Sequence, residues 1–269
     1  SGLTYDFLMG CHIAYLYSEK NISDDGRKSL AENCDLLSEL PLAYQPGSKF
    51  NYSVSMDVMA RVIEIVNDKD FGETLKEEIF NPLEMKDTGF GVDKKNLDRL
   101  MSTYGASNFK EIMNVGTHNL KETNVSEHNP HDRGKTFRRG GTGLFSTSLD
   151  FLSFARMLLS GKSQSGKILL SKNMVDFMKV NRLPDYQLPI KMGPLLLPGY
   201  GWNLLGRTVL DRGQIMSQTG KNEFGWAGAA CTYFWVDPDN DLIGINMAQY
   251  LGSMWPVNDD LRAAMYQAI

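Results

Sequence analysis

The sequence predicts an α+β fold, a mostly helical first two-thirds followed by a β-hairpin and a closing helix. Three observations carry that prediction: a 3.6-residue apolar spacing over residues 56–66, a stretch at 147–161 with helix signals at both ends, and a change of texture near residue 199. Composition sets the frame. The 269 residues, 42% hydrophobic and 22% charged, are ordinary for a globular chain of one large or two modest domains.

The elements follow in order. Apolar residues at 56, 59, 60, 63 and 66 line one helical face, and Ser53 or Ser55 offers an N-cap. A second helix runs from Gly72 to Phe80 and stops at Asn81-Pro82, because the residue before proline disfavours the helical region. A third begins at Thr147 or Ser148 and ends at Gly161, with a hydroxyl cap in front and a glycine behind. Residues 114–140 are polar, hold three of the four histidines, and read as a long surface loop. Beyond residue 199, Gly201–Leu205 reads as a strand, Ala227–Val236 as an apolar β-rich run, Asp237–Asn240 as a turn and Asp241–Tyr250 as the returning strand. Leu261–Ile269 forms the last helix. The expected division is 1–198, mostly helical, and 199–269, a hairpin and helix belonging to an α/β part.

Several functions are excluded or weakened by composition. A net charge of -4 gives no basic footprint for nucleic acid or anionic lipid. No apolar run reaches the roughly 18 residues of a membrane span. Cys11, Cys34 and Cys231 form neither a disulfide framework nor a zinc spacing, and the compartment stays open. Gly161–Lys167 has the glycine and lysine spacing of a phosphate loop, but Ile168 stands where the magnesium-binding hydroxyl belongs and a helix, not a strand, precedes it. His128-Asn129-Pro130-His131-Asp132 offers metal-ligand types without a helix to fix them, so a solvated loop is the expectation. No metal and no organic cofactor are expected.

Five stretches carry more information: Ser1-Gly2-Leu3-Thr4-Tyr5, Tyr44–Val54 (reading YQPGSKFNYSV), Asn81–Phe90, Gly140–Thr147 (GGTGLFST) and Phe224–Ala230 (FGWAGAA). In this order and with these gaps the chain resembles the serine β-lactamase and penicillin-binding-protein superfamily, in the branch of class C β-lactamases and β-lactamase-like (family VIII) carboxylesterases. The resemblance covers nearly the whole chain. It implies a β-lactamase/transpeptidase-like fold, an antiparallel sheet flanked by helices beside a mostly helical part, and a covalent acyl-enzyme mechanism. In that family a serine of an S-x-x-K motif attacks the carbonyl, and the lysine and a tyrosine manage its proton.

Tyr52 matches the tyrosine of the family's Y-x-N motif. A phenol near pKa 10 needs a neighbouring cation to act as a base at neutral pH. The motif usually read K-T-G or H-x-G is here Trp226-Ala227-Gly228, and the next N–H, that of Ala229, is the expected oxyanion donor. Tryptophan in place of lysine, and Val54 in place of asparagine, tilt the site toward neutral, apolar acyl groups. Tyrosine packing at a helix start and a core aromatic beside a strand are the competing structural explanations of Tyr52 and Trp226. Arg138, Arg139 or Lys221 remains available to a carboxylate, so β-lactam or D-amino-acid peptide substrates stay in view.

The resemblance places S-x-x-K upstream of Ser1. Ser107-Asn108-Phe109-Lys110 has the spacing, but it falls between the wrong motifs, and a chain of this composition supplies about one such match by chance. The nucleophile and the first strands of the sheet are therefore expected outside these residues, in a separate N-terminal segment or a second copy that completes the sheet. Strand Gly244–Tyr250 would otherwise keep an unpaired edge. Two functions follow: a serine hydrolase acting on a small-molecule ester or amide, or a binding protein that kept the fold without the nucleophile.

Overall fold

The structure is a computed structural model that describes residues 1–8, 10–23, 27–106, 121–123, 138–193, 195–252 and 256–269. The S-x-x-K match at 107–110 and the histidines at 118, 128 and 131 lie outside them. Seven helices are described: α1 (His12–Glu19), α2 (Leu30–Ser38), α3 (Ser55–Asn67), α4 (Phe71–Leu75), α5 (Ser148–Ser160), α6 (Lys172–Lys179) and α7 (Val257–Gln267). The main sheet is antiparallel and five-stranded, in the order β5 (Tyr200–Asn203), β6 (Gly206–Val209), β7 (Phe224–Ala227), β8 (Thr232–Asp237), β9 (Leu242–Met247). Short strands β1 (Thr103–Gly105), β2 (Glu122–Thr123) and β10 (Tyr250–Leu251) form a second sheet, and β3 (Ile190–Met192) pairs with β4 (Leu195–Leu197). This is the α+β layout of a helical part and an antiparallel sheet with helices packed on it.

Helix α5 forms where its local signals put it. Thr147 Oγ1 accepts from the Asp150 N–H at 3.2 Å, and Gly161 closes the helix with φ 78°. The lysine-glycine stretch behind it is a turn, tied by Ser163 N–H to Lys167 O at 2.8 Å and by a bridge between Lys162 and Ile168. On the inner side of α5, Ala155, Met157 and Leu158 share a core with Phe80, Leu83, Met85, Phe224 and Val236, so packing crosses the expected division at residue 198. The second helix changes pitch partway. Phe71–Leu75 is α-helical, Lys76–Phe80 takes the wider i→i+5 turn, and the chain leaves at Asn81-Pro82.

Three sequence expectations are corrected. Neither Ser53 nor Ser55 caps α3; Val54 occupies that position, and Ser53 Oγ instead accepts from Ser55 N–H at 3.3 Å. The apolar run 227–236 is two strands joined by a tight turn at 228–231, where Cys231 takes the left-handed conformation (φ 63°) usual for glycine. The returning strand is also divided, since Leu242–Met247 joins the main sheet while Tyr250–Leu251 pairs with β1. Strand β9 has a partner on one side only among the described residues.

Opposite α5, helix α7 covers the other face of the sheet through a buried polar network. Arg262 and Glu223 are each 1% exposed and meet at 2.9 Å. Arg262 also donates to Tyr200 Oη at 3.2 Å, Tyr233 Oη at 3.4 Å and Ser217 Oγ. The Tyr266 hydroxyl lies 2.9 Å from Glu223 Oε2 and 2.7 Å from Asp237 Oδ2. A buried guanidinium is tolerated when charge and hydrogen bonds both compensate it. Burial works against its charge, but Tyr233, Glu223 and Tyr200 together raise its pKa.

Candidate active site

Four of the sequence stretches meet around the start of α3, and Asn81–Phe90 joins them through the 140–147 loop. Asn51 Nδ2 donates to Leu3 O at 2.8 Å and Val54 N–H to Thr4 O at 3.4 Å, which lays the opening segment along the approach to the helix. Tyr5 is thereby set against Tyr52, ring centroids 5.1 Å apart. Asp57, buried in the first turn of α3, accepts from Gly141 N–H at 2.9 Å. Gly140 is required there, because a methyl group would collide with the Met56 carbonyl oxygen. The same loop continues into a two-way bridge between Phe145 and Gly89, with Asp150 accepting from Asp87 N–H and Thr88 Oγ1 at 2.8 Å each. The fifth stretch closes the set: Trp226 Nε1 donates to Tyr52 Oη at 3.3 Å.

Around this contact stands a group of half-buried rings. Trp226 lies 5.5 Å from Tyr52 and 4.5 Å from Trp202, edge to face, and Phe50 is 5.0 Å from Trp202. Such geometries suit aromatic quadrupoles, each pair contributing about 0.5–1.5 kcal/mol beyond area burial. Burial raises the Tyr52 pKa, and the hydrogen bond from Trp226 offsets this only partly. Its resting form at neutral pH is a neutral phenol. Tyr5 is raised further by burial and by Tyr52, Asp57 and Asp6. Burial also raises Asp57, against the Arg139 charge and the Gly141 and Gly140 N–H groups.

Ala227, Gly228 and Ala229 are exposed at the end of β7. Gly228 N–H bonds Thr232 O at 2.7 Å, and a side chain at Gly228 would strike Thr232 Oγ1, so glycine here makes the hairpin close. The Ala229 N–H has no acceptor among the described residues. Val54, expected to face a substrate, is instead fully buried with Tyr17, Ile22 and Leu37; an apolar β-branched side chain at that point is drawn into the core. Of the three cations, Arg138 pairs with Asp70, Arg139 is buried and acts on Asp57, and Lys221 is exposed in the turn before Glu223.

Phe50, Trp202 and Asp57 were not among the expected site residues. Trp202 sits in a predicted strand, but nothing local aims it at Trp226. Asp57 carried a signal, a carboxylate beside the apolar positions of the helix. Among the described residues no group of three or more His, Cys, Asp or Glu is placed to hold a metal ion, and no helix is long and apolar enough to cross a membrane. A cavity of about 190 Å³ lined by Gly72, Lys76, Phe80, Met85 and Phe90 shares no residue with the aromatic group.

Comparison with known proteins gives a consistent result. The family model described as Beta-lactamase matches residues 12–268. An uncharacterised protein of Mycobacterium tuberculosis is 30% identical over 258 residues, 93% of this chain and 60% of its own length. A lovastatin esterase of Penicillium rubens is 29% identical over 246 residues, 84% of this chain and 56% of its own. The chain thus spans a little over half the length of these curated relatives. Among solved structures, EstCE1, a hydrolase with promiscuous acyltransferase activity, superposes with a TM-score of 0.78 at 21% identity, over 98% of this chain and 69% of its own. Simvastatin synthase from Aspergillus terreus gives 0.73 at 20% identity, over 100% and 66%. At these identities the structural likeness establishes the fold.

Proposed function

Because this chain belongs to the Beta-lactamase family, we propose that it serves a serine hydrolase that opens carboxylic esters through an acyl-serine intermediate. The observation that carries the reading is the Trp226–Tyr52 hydrogen bond at 3.3 Å, which puts the phenol and the end of β7 on one surface. The serine and its lysine come from sequence outside residues 1–269. A lysine ammonium beside the phenol lowers its pKa against the rise that burial causes, which favours proton relay through Tyr52. Tyr52 then takes the hydroxyl proton as the serine oxygen attacks the ester carbonyl carbon. It returns that proton to the departing alcohol oxygen when the ester C–O bond breaks. The Ala229 N–H supplies half of the oxyanion site. Water repeats the attack and frees the acid.

Substrate preference follows from the walls. Trp226, Trp202 and Phe50 offer ring faces and edges, a surface for a neutral acyl group, with Ala227 and Gly228 as its open rim. The names of the Penicillium esterase and of EstCE1 support an ester. The test uses the protein at its natural length. A fluorophosphonate probe should label one serine, and Tyr52→Phe should lower kcat on a p-nitrophenyl ester by about 10²–10⁴-fold while the fold persists. An unlabelled protein would overturn the hydrolase reading in favour of a binding role. Faster turnover of a chromogenic cephalosporin than of the ester would replace the esterase with a β-lactamase or D-amino-acid peptidase.

A further inference from the structure

The cavity beside α4 has an apolar side and a cationic one. Phe80, Met85 and Phe90, each 6% exposed, form the buried side. Lys76 and Lys86 form the exposed side, and neither makes an ion pair among the described residues. Carboxylates close by in sequence are engaged elsewhere: Asp70 with Arg138, Asp87 with Arg99 and Glu77 with Lys69. Among the described lining residues Glu73 is the one carboxylate, against two unpaired ammonium groups. Arg138 closes a further wall, its guanidinium lying over Gly72, where a methyl group would stand 3.1 Å from it. The wide i→i+5 turn runs along the same cavity: Asn81 N–H donates to Lys76 O at 2.8 Å, and Lys76, Phe80 and Asn81 all line it. Such turns are rare and concentrate at functional sites.

We propose that this cavity binds a small carboxylate with an apolar body, its ring or short chain inward and its charge at Lys76 and Lys86. Size, floor and rim each select that class. At about 190 Å³ the cavity exceeds the roughly 150 Å³ that admits a benzene ring. It falls below the roughly 300–1,000 Å³ of sites for larger ligands. The phenylalanine and methionine surfaces gain from covering apolar carbon and offer no partner to a polar group. An ammonium group only donates hydrogen bonds, and it holds an anion more strongly than a neutral acceptor. An inorganic anion would satisfy the lysines but leave the apolar floor in contact with water. The proposal stands whether or not the chain serves an ester hydrolase, since none of the cavity's residues enters that mechanism.

Benzoate is the probe, titrated by calorimetry into the protein at its natural length. Benzyl alcohol, which lacks the charge, and inorganic phosphate, which lacks the ring, should each bind at least about tenfold more weakly. Lys76→Ala combined with Lys86→Ala should weaken benzoate about tenfold or more. Both side chains are exposed, so the fold should persist, and circular dichroism checks it. Lys162→Ala combined with Lys191→Ala removes the same net charge from exposed positions outside the lining and should leave the affinity unchanged. No binding at millimolar benzoate would overturn the proposal, as would benzyl alcohol or phosphate binding as tightly as benzoate. So would an affinity that survives loss of Lys76 and Lys86. A site lost instead in Tyr52→Phe would place the acid at the aromatic group and would likewise overturn it.

Discussion

Glu223→Gln tests whether the polar network beneath α7 is a fixed part of the fold. The substitution keeps the side chain's shape and an acceptor for Arg262 but removes the buried carboxylate 2.9 Å from a guanidinium that is 1% exposed, leaving it only the 3.4 Å contact with the largely exposed Asp259 among the described carboxylates. Removing one partner of a buried pair leaves an uncompensated charge and costs about 3–5 kcal/mol. For a domain of this size that lowers Tm by the order of 10 °C. Urea denaturation followed by tryptophan fluorescence measures the loss, with Asp176→Asn as a comparison. Asp176 pairs with Lys172 at 2.6 Å on the surface, and its loss should cost no more than about 0.5 kcal/mol. The double replacement Glu223→Leu with Arg262→Met should be milder than either single change, because it removes both charges together. A Glu223→Gln loss below about 1 kcal/mol, the range of an exposed pair, would refute the argument. Because Glu223 immediately precedes β7, a change at the Tyr52–Trp226 contact, read in near-ultraviolet circular dichroism, should accompany the loss.

Alkaline pH should destabilise the fold. Tyr5, Tyr52, Tyr233 and Tyr266 are all raised, by burial first in each case, so the folded state keeps protons that the unfolded chain releases above pH about 10. Stability is therefore full below that value and falls above it; Tyr266→Phe should flatten the fall in urea midpoints between pH 9 and 11, and an unchanged slope would count against the network. Cys231→Gly should gain about 1 kcal/mol by relieving a left-handed residue with a Cβ, whereas Cys231→Val should lose stability; equal melting temperatures for the two would contradict the turn geometry. Asp57→Ala should cost about 1–3 kcal/mol by orphaning the Gly141 N–H, and Asp57→Asn much less, because it keeps an acceptor without the buried charge.

What was legible in the sequence is what neighbouring residues decide among themselves. Thr147 and Gly161 bracket α5 without outside help; the helical run at 76–80 does stop before Pro82, but Asn81 keeps helical angles (φ -63°, ψ -48°), against the expected effect of the following proline. The turn inside 227–236 escaped because Cys231 stands where glycine would have marked it. The Arg262–Glu223 pair joins residues 39 apart, and no local pattern links them. Periodicity over 56–66 located the helix, but its apolar positions divide: Ala60 and Ile63 pack with Phe71 and Phe90, while Met56, Met59 and Val66 are exposed. Apolar spacing records that something covers a surface, and its identity belongs to tertiary structure. In α3 the local requirement was instead polar: Asp57 holds the 140–141 loop and Glu64 the start of α4, and both need the inner side. Once those bonds fix the rotation, Met56, Met59 and Val66 have only the outside left.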